Sequence, residues 1–495
     1  MVDTPAFHDL VNDEYGLFIG GEYVDARSGS TVAVEDPGTE TPFTTAADAK
    51  SEDVDRAVED SRAAFDEWSS YAPDERGELL RAVGEAIENH AEEIGTLLAL
   101  ENGKPFAQAK GETMGGARYF EYYGGFADKI HGSSIPLTDD KVDYTVREPL
   151  GVTAQIIPWN GPLDVFCRSV APALAAGNTA VVKPAEQTPL SGVKLGEIAV
   201  EAGLPPGVLN VIPGFGEEAG APLASHPEVD GVSFTGSTEA GREVSKLAVD
   251  NLTHVHTELG GKNPAVVYPD ANLDDVVSDI LMAIFTVGTG QGCSATDRLV
   301  LHSDVYDEVL DRLVDRIADI TIGHSMDDPD MGPLAHEEQY EKVLRYLDIG
   351  RKEAGDPVVG GETLDRKGYF VEPTIFEATN DARIAQKEIF GPVLTVIEFE
   401  DEAEAIRIAN GTQYGLVGGI YTQDIGRAYR FAREVDAGQI YINEWWPSGV
   451  ETPFGGYKQS GIGREKGLEA INEFTQVKNV CASLAGEGGT GMPSQ

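Results

Sequence analysis

Residues 151–183 read Gly151-Val-Thr-Ala-Gln-Ile-Ile157-Pro-Trp-Asn-Gly-Pro162-Leu-Asp-Val-Phe-Cys-Arg-Ser-Val-Ala-Pro-Ala-Leu-Ala-Ala-Gly177-Asn-Thr-Ala-Val-Val-Lys183. Two short apolar runs, Gly151–Ile157 and Ala180–Lys183, stand at its ends. The rhythm continues through Val208–Ile212, Gly231–Phe234 and Val255–Leu259, with helical stretches such as Ser191–Ala202 between. Short apolar strands alternating with helices predict a parallel sheet covered on both faces. From 264 the theme returns: Pro264-Ala-Val-Val-Tyr268, a helix near Asp274–Phe285, Leu299-Val-Leu301, then a helix on Val305, Val309, Leu313 and Ile317. The fold class is α/β, and 495 residues are too many for one core, so two or three domains are expected.

Outward from this centre the signals are simpler. Phe18-Ile-Gly-Gly-Glu-Tyr-Val24 reads as a hairpin turning at Gly20-Gly21. Ser51 is placed to cap a helix with the stripe Val54, Ala57, Val58 and Phe65, and a second helix carries Leu80, Val83, Ile87, Ile94, Leu97 and Leu98. Val142, Tyr144 and Val146 alternate with polar residues, as in an exposed or intersubunit strand. Residues 474–480 form another strand. Residues 1–16 read as loose and polar, and 486–495 as a Gly-rich disordered tail.

Composition excludes several classes. No run of eighteen apolar residues occurs, so no membrane span is expected, and the opening residues, without a basic start or an apolar core, lead to no expectation of a signal peptide. Three cysteines, Cys167, Cys293 and Cys481, fit a reduced cytoplasmic compartment rather than a disulfide framework. His254 and His256 would share a strand face, but no third ligand accompanies them, so no metal is expected. Asp and Glu number 84 against 37 Lys and Arg, for a net charge of −47. Such a chain repels nucleic acid and anionic membrane. The acids are dispersed, as in Asp270-Ala-Asn-Leu-Asp-Asp275 and Asp327-Asp-Pro-Asp330, which resembles the salt adaptation of halophilic proteins.

The chemistry centres on Phe285-Thr-Val-Gly-Thr-Gly-Gln-Gly-Cys293-Ser-Ala-Thr-Asp-Arg298. A lone cysteine among Gly288, Gly290 and Gly292 is a thiol presented on a loop that a ligand can approach closely. Upstream stand a carboxylate before a Gly-Gly turn, Glu258-Leu-Gly-Gly-Lys262, and an amide between two prolines, Pro158-Trp-Asn160-Gly-Pro162. Nucleophile, base and amide donor are the three parts that acyl chemistry needs.

With Lys183-Pro-Ala-Glu186-Gln-Thr-Pro189, Phe234-Thr-Gly-Ser-Thr-Glu-Ala-Gly241, Glu388-Ile-Phe-Gly-Pro392 and Pro453-Phe-Gly-Gly-Tyr-Lys-Gln-Ser-Gly461, these motifs make the chain resemble the NAD(P)-dependent aldehyde dehydrogenase superfamily over nearly its whole length. The resemblance implies an aldehyde dehydrogenase-like fold. Residues 1–125 and 149–260 would bind coenzyme, 261–460 would form a catalytic domain, and 130–148 with 470–483 would be oligomerisation strands of a homodimer or homotetramer.

The same resemblance implies NAD-dependent oxidation of an aldehyde to the acid. Cys293 is the implied nucleophile, Asn160 the oxyanion donor and Glu258 the base, with Glu465 as a second relay carboxylate. Implied coenzyme residues are Ile156, Pro158, Trp159, Lys183, Glu186, Gly216, Phe234, Gly236, Ser237, Leu259, Gly260, Glu388 and Phe390. Glu186 would bond the ribose 2′-hydroxyl and disfavour NADP. The expected substrate pocket is Gly161, Asp164, Val165, Arg168, Trp445 and Trp446, for a small aldehyde of aryl, semialdehyde-acid or polar type. Two positions depart from the family pattern: Gly288 replaces a common Asn, and Ser169, after Arg168, replaces a Lys proposed to pass protons. A coenzyme A-acylating enzyme and a catalytically retired binding protein are the rival readings. Glu258 argues against the first, and the intact Cys293, Glu258 and Asn160 against the second.

Overall fold

In the computed structural model, residues 10–447 and 449–484 are described. The expected tail at 486–495 lies outside them. Three sheets organise the molecule. The first has eight strands in the order Gly461–Ile462, His254–Glu258, Gly231–Thr235, Val152–Ile156, Thr179–Lys183, Leu209–Val211, Leu17–Ile19 and Glu22–Val24. Its five central strands are parallel, and the additions at both ends are antiparallel. The second has six parallel strands: Thr374–Glu377, Val393–Phe399, Arg298–His302, Pro264–Val267, Val417–Tyr421 and Gln439–Ile442. A third, antiparallel sheet joins Thr475–Ser483, Lys141–Pro149 and Ser134–Ile135.

The apolar runs form central strands because both faces are covered. In Thr179–Lys183 every residue is buried. Ala180 and Val182 enter one core with Phe166 and Val170, while Val181 enters another with Val152 and Ala154. Each Val or Phe side chain among them contributes about 1.5–3 kcal/mol on burial. The third sheet instead leaves Val142, Tyr144 and Val477 exposed.

The structure corrects three expectations. Ser51 is not a cap: the helix Ser51–Ser70 is closed by Asp53, whose carboxylate accepts the Lys50 N–H at 3.0 Å and the Arg27 N–H at 3.0 Å. The second helix is two, Pro73–Asn89 and Ala91–Asn102, because His90 leaves helical geometry between them. Within the segment expected to be loose, Glu14–Tyr15 pairs in parallel with Thr45 and Ala46, and Tyr15 is buried. No helix among the described residues is long and apolar enough to cross a membrane.

Candidate active site

Loops following strands of both parallel sheets enclose a cleft of about 740 Å³. Ligand clefts of α/β proteins lie beyond the carboxyl ends of their strands, and here Pro158–Asn160, Thr235–Ser237 and Glu258–Gly260 each follow such an end.

Cys293 is half-buried on the cleft wall, after the helix Leu273–Leu281 and a wider helical turn, Met282–Thr286. Gly290 has φ +71°, and a Cβ there would meet the Gly391 carbonyl at 2.4 Å, so this position requires glycine. Gly288 has φ +61° with open space around it, a conformation Asn also tolerates. Asn263 braces the loop by donating to the carbonyls of Cys293 at 2.8 Å and Ala295 at 2.7 Å. Among the described residues the Cys293 N–H makes no hydrogen bond. Burial pushes the thiol up to about 12, against the pull of the Arg168 guanidinium.

Asn160 donates its amide N–H to the Gln291 carbonyl at 2.9 Å, which brings it to the cysteine loop. Its backbone is anchored from behind. Lys104 donates to the Asn160 carbonyl at 3.0 Å and pairs with Glu112. Glu112 in turn accepts the N–H groups of Leu163 at 3.0 Å and Asp164 at 3.1 Å, capping the helix Pro162–Ala175.

Glu258 ends the strand His254–Glu258 and is buried, with neither carboxyl oxygen hydrogen-bonded among the described residues. Burial first, then the neighbouring Glu465 charge, holds its carboxyl well above the usual range. Glu465 is buried outside the cleft lining and forms an ion pair with Arg168 Nε, without hydrogen-bond alignment. Arg168 also donates to Asp164 at 3.1 Å and lies 5.1 Å from the Phe454 ring centroid. Tyr119 O–H donates to the other Asp164 oxygen at 3.0 Å.

Of the expected pocket residues, Gly161, Asp164, Val165, Arg168 and Trp446 line the cleft. Trp445 does not: it is buried, and its indole N–H donates to the Ser294 carbonyl at 3.2 Å, supporting the loop rather than closing an entrance. Trp446 donates to Ser294 Oγ at 3.0 Å.

The coenzyme candidates divide similarly. Pro158, Trp159, Gly236, Ser237, Leu259, Gly260, Glu388 and Phe390 line the cleft. Ile156 and Phe234 are buried in strands beneath it. Lys183 is buried, bonds the Gly214 carbonyl at 2.8 Å two residues before Gly216, and holds Glu186 at 3.3 Å; beside them Gln187 reaches the lining. Ser237 caps the helix Thr238–Val249, accepting the Ala240 N–H at 3.1 Å, so that helix's N-terminus opens on the cleft. Glu388 accepts the Gly261 N–H at 2.9 Å, and burial raises its carboxyl to about 7. Trp159 meets Phe390 edge-on at 5.3 Å. A helix N-terminus, carboxylates and aromatic faces along one cleft fit a dinucleotide.

Tyr119, His336, Gln339, Lys342, Arg345 and Lys466 also line the cleft, and the local sequence carried no signal for them. Phe454 did carry one, standing inside the motif Pro453–Gly461. His254 pairs with Glu473 at 3.0 Å and His256 lies 3.3 Å from Ser233; no metal-ligating cluster occurs among the described residues.

A hydroxyisobutyraldehyde dehydrogenase of Mycolicibacterium austroafricanum is 43% identical over 472 residues, covering 94% of each chain. The mitochondrial aldehyde dehydrogenase family 2 member B4 of Arabidopsis thaliana is 43% identical over 94% of this chain and 88% of its own. A solved NAD⁺ complex of an aldehyde dehydrogenase from Bacillus cereus superposes with a TM-score of 0.95 at 40% identity, covering 97% of this chain and 99% of that one. The family model described as aldehyde dehydrogenase matches residues 23–480. The chain therefore belongs to the aldehyde dehydrogenase family.

Proposed function

We propose that this chain oxidises an aldehyde to its carboxylic acid with NAD, using Cys293 as nucleophile. The observation that carries the reading is the meeting of Cys293, Asn160 and Glu258 on one cleft. Bound NAD supplies the hydride acceptor. Once its thiol has given its proton to solvent, the Cys293 sulfur adds to the aldehyde carbon, and the oxyanion so formed is held by the Asn160 amide and the unbonded Cys293 N–H. Loss of hydride leaves a thioester on Cys293. Glu258, once ionised, takes a proton from water as that water attacks the thioester, and the acid departs.

Lys183 and the carboxylate it holds, Glu186, form the adenosine end, where a 2′-phosphate would meet like charge. Residues 1–125 and 149–260 are the coenzyme-binding part, 261–460 the catalytic part. Arg168 is already paired with Asp164 and Glu465, which favours a neutral aldehyde over a semialdehyde acid. Exposed Val142, Tyr144 and Val477 on the third sheet support homo-oligomerisation through that sheet. The dispersed charge of −47 supports a salt-adapted enzyme, and the three free cysteines a cytoplasmic one. Formation of NADH with a panel of aryl, aliphatic and acidic aldehydes, against NADP in parallel, tests the assignment. Aldehyde-dependent NADH formation, tenfold or more above NADPH formation in kcat/KM (about 1.4 kcal/mol), is expected; no reduction with any aldehyde would refute it.

A further inference from the structure

The strand His254–Glu258 carries His254, His256 and Glu258 on one face, because alternate residues of a strand point the same way. Along that face exposure falls: the His254 side chain is 44% exposed, while His256 and Glu258 are buried. His256 Nε2, both Glu258 oxygens and both Glu465 oxygens are buried without a hydrogen bond among the described residues. Buried polar atoms are normally satisfied, and such a concentration marks space for water or for a moving proton.

Glu473 completes the row. A Cβ at Gly463 would meet His256 Cδ2 at 2.5 Å and Glu473 Cδ at 2.9 Å, so the histidine and the carboxylate share the wall that this glycine leaves open. A Cβ at Gly455 would meet Glu258 Oε1 at 2.8 Å, so a second glycine makes room at the inner end. At the outer end Glu473 bonds His254 at 3.0 Å and accepts the Arg464 N–H at 3.2 Å. Arg168 and Arg464 face the same cluster and favour the ionised form of Glu258. Burial keeps His256 below its ordinary value, hence neutral and able to accept a proton, although Glu465 and Glu473 oppose the shift.

This matters for the hydrolytic half of the reaction proposed above, on which the inference rests. Water loses a proton to Glu258 as its oxygen bonds the thioester carbon. The carbon–sulfur bond then breaks and Cys293 leaves as thiolate. The proton on Glu258 must depart before another water can be activated. We propose that, beyond Glu465, the relay carboxylate that the resemblance already implies, the proton from Glu258 passes to His256, then to Glu473 and to solvent beside His254. His256 is thus a relay residue that acts through Glu258.

The test uses the full-length chain with NAD and an aldehyde that it oxidises. In His256→Asn the first NADH per site should form at the wild-type rate, because hydride transfer precedes hydrolysis. Steady turnover should fall about a hundredfold, the lower end of proton-transfer effects. In wild type, turnover should rise with pH as Glu258 loses its proton; in the variant that rise should move to higher pH. Added imidazole should restore turnover in His256→Gly. His254→Gln, an exposed change that spares the core, should slow proton release into an indicator dye relative to NADH formation. Unchanged steady turnover and pH profile in the folded His256 variant, or, where that variant does not fold, undelayed proton release in His254→Gln, overturns the route. A wild-type chain that forms no NADH with any aldehyde would remove the underlying reaction instead.

Discussion

Arg168 shows what side-chain geometry adds to a residue-level reading. Two roles are open to an arginine expected in the substrate pocket: meeting a substrate carboxylate, or pairing with Asp164. The guanidinium is buried between Asp164 and Glu465 and lies over Phe454, so its charge is already matched. Removing one partner from a buried ionic cluster leaves uncompensated charge and costs about 3–5 kcal/mol. Arg168→Leu should therefore lower the melting temperature markedly and depress kcat/KM for benzaldehyde and succinic semialdehyde alike. A stable variant that selectively loses the semialdehyde would return Arg168 to substrate recognition. The pairing was invisible beforehand because Glu465 lies almost three hundred residues away, and only the closed fold brings it to Arg168.

At the scale of elements, the helix Pro162–Ala175 begins beside Asn160 and must be placed to within a hydrogen bond. Its start is fixed by Glu112, on the separate helix Phe106–Gly124, and by Lys104 just before that helix. Glu112→Ala leaves two N–H groups and the Lys104 ammonium without their acceptor, at about 1–3 kcal/mol for an unsatisfied buried group. Turnover should drop more than NAD affinity, because Asn160 shifts while the residues around Ser237 do not. An unchanged kcat, measured beside NAD binding by fluorescence, would contradict this. Strands were legible here and caps were not. Apolar runs such as Ala180–Lys183 announce a covered parallel strand. Glu112 caps a helix from a separate element, a contact that no local pattern encodes, and His90 broke a helix whose apolar stripe ran on through it.

Across the whole molecule, the charge of −47 sets a self-repulsion that screening controls. The Debye length falls from about 10 Å at 0.1 M salt to about 3 Å at 1 M. Melting temperature and activity should rise together toward molar KCl, with dissociation at low salt; thermal scans and light scattering at both salts would show a flat response if the acids have no such role. The trio proposed for catalysis, Cys293, Asn160 and Glu258, was legible because each member sits in a compact local motif, and all three line one cleft. Tyr119 and Lys466 were not legible, since they enter the cleft from segments without any pattern of their own. The central claim is that Cys293 carries a thioester which Glu258-activated water releases. Rapid mixing of Glu258→Gln with NAD and aldehyde tests it most directly: the account predicts a burst of one NADH per site followed by near-complete arrest, whereas full steady turnover would contradict it.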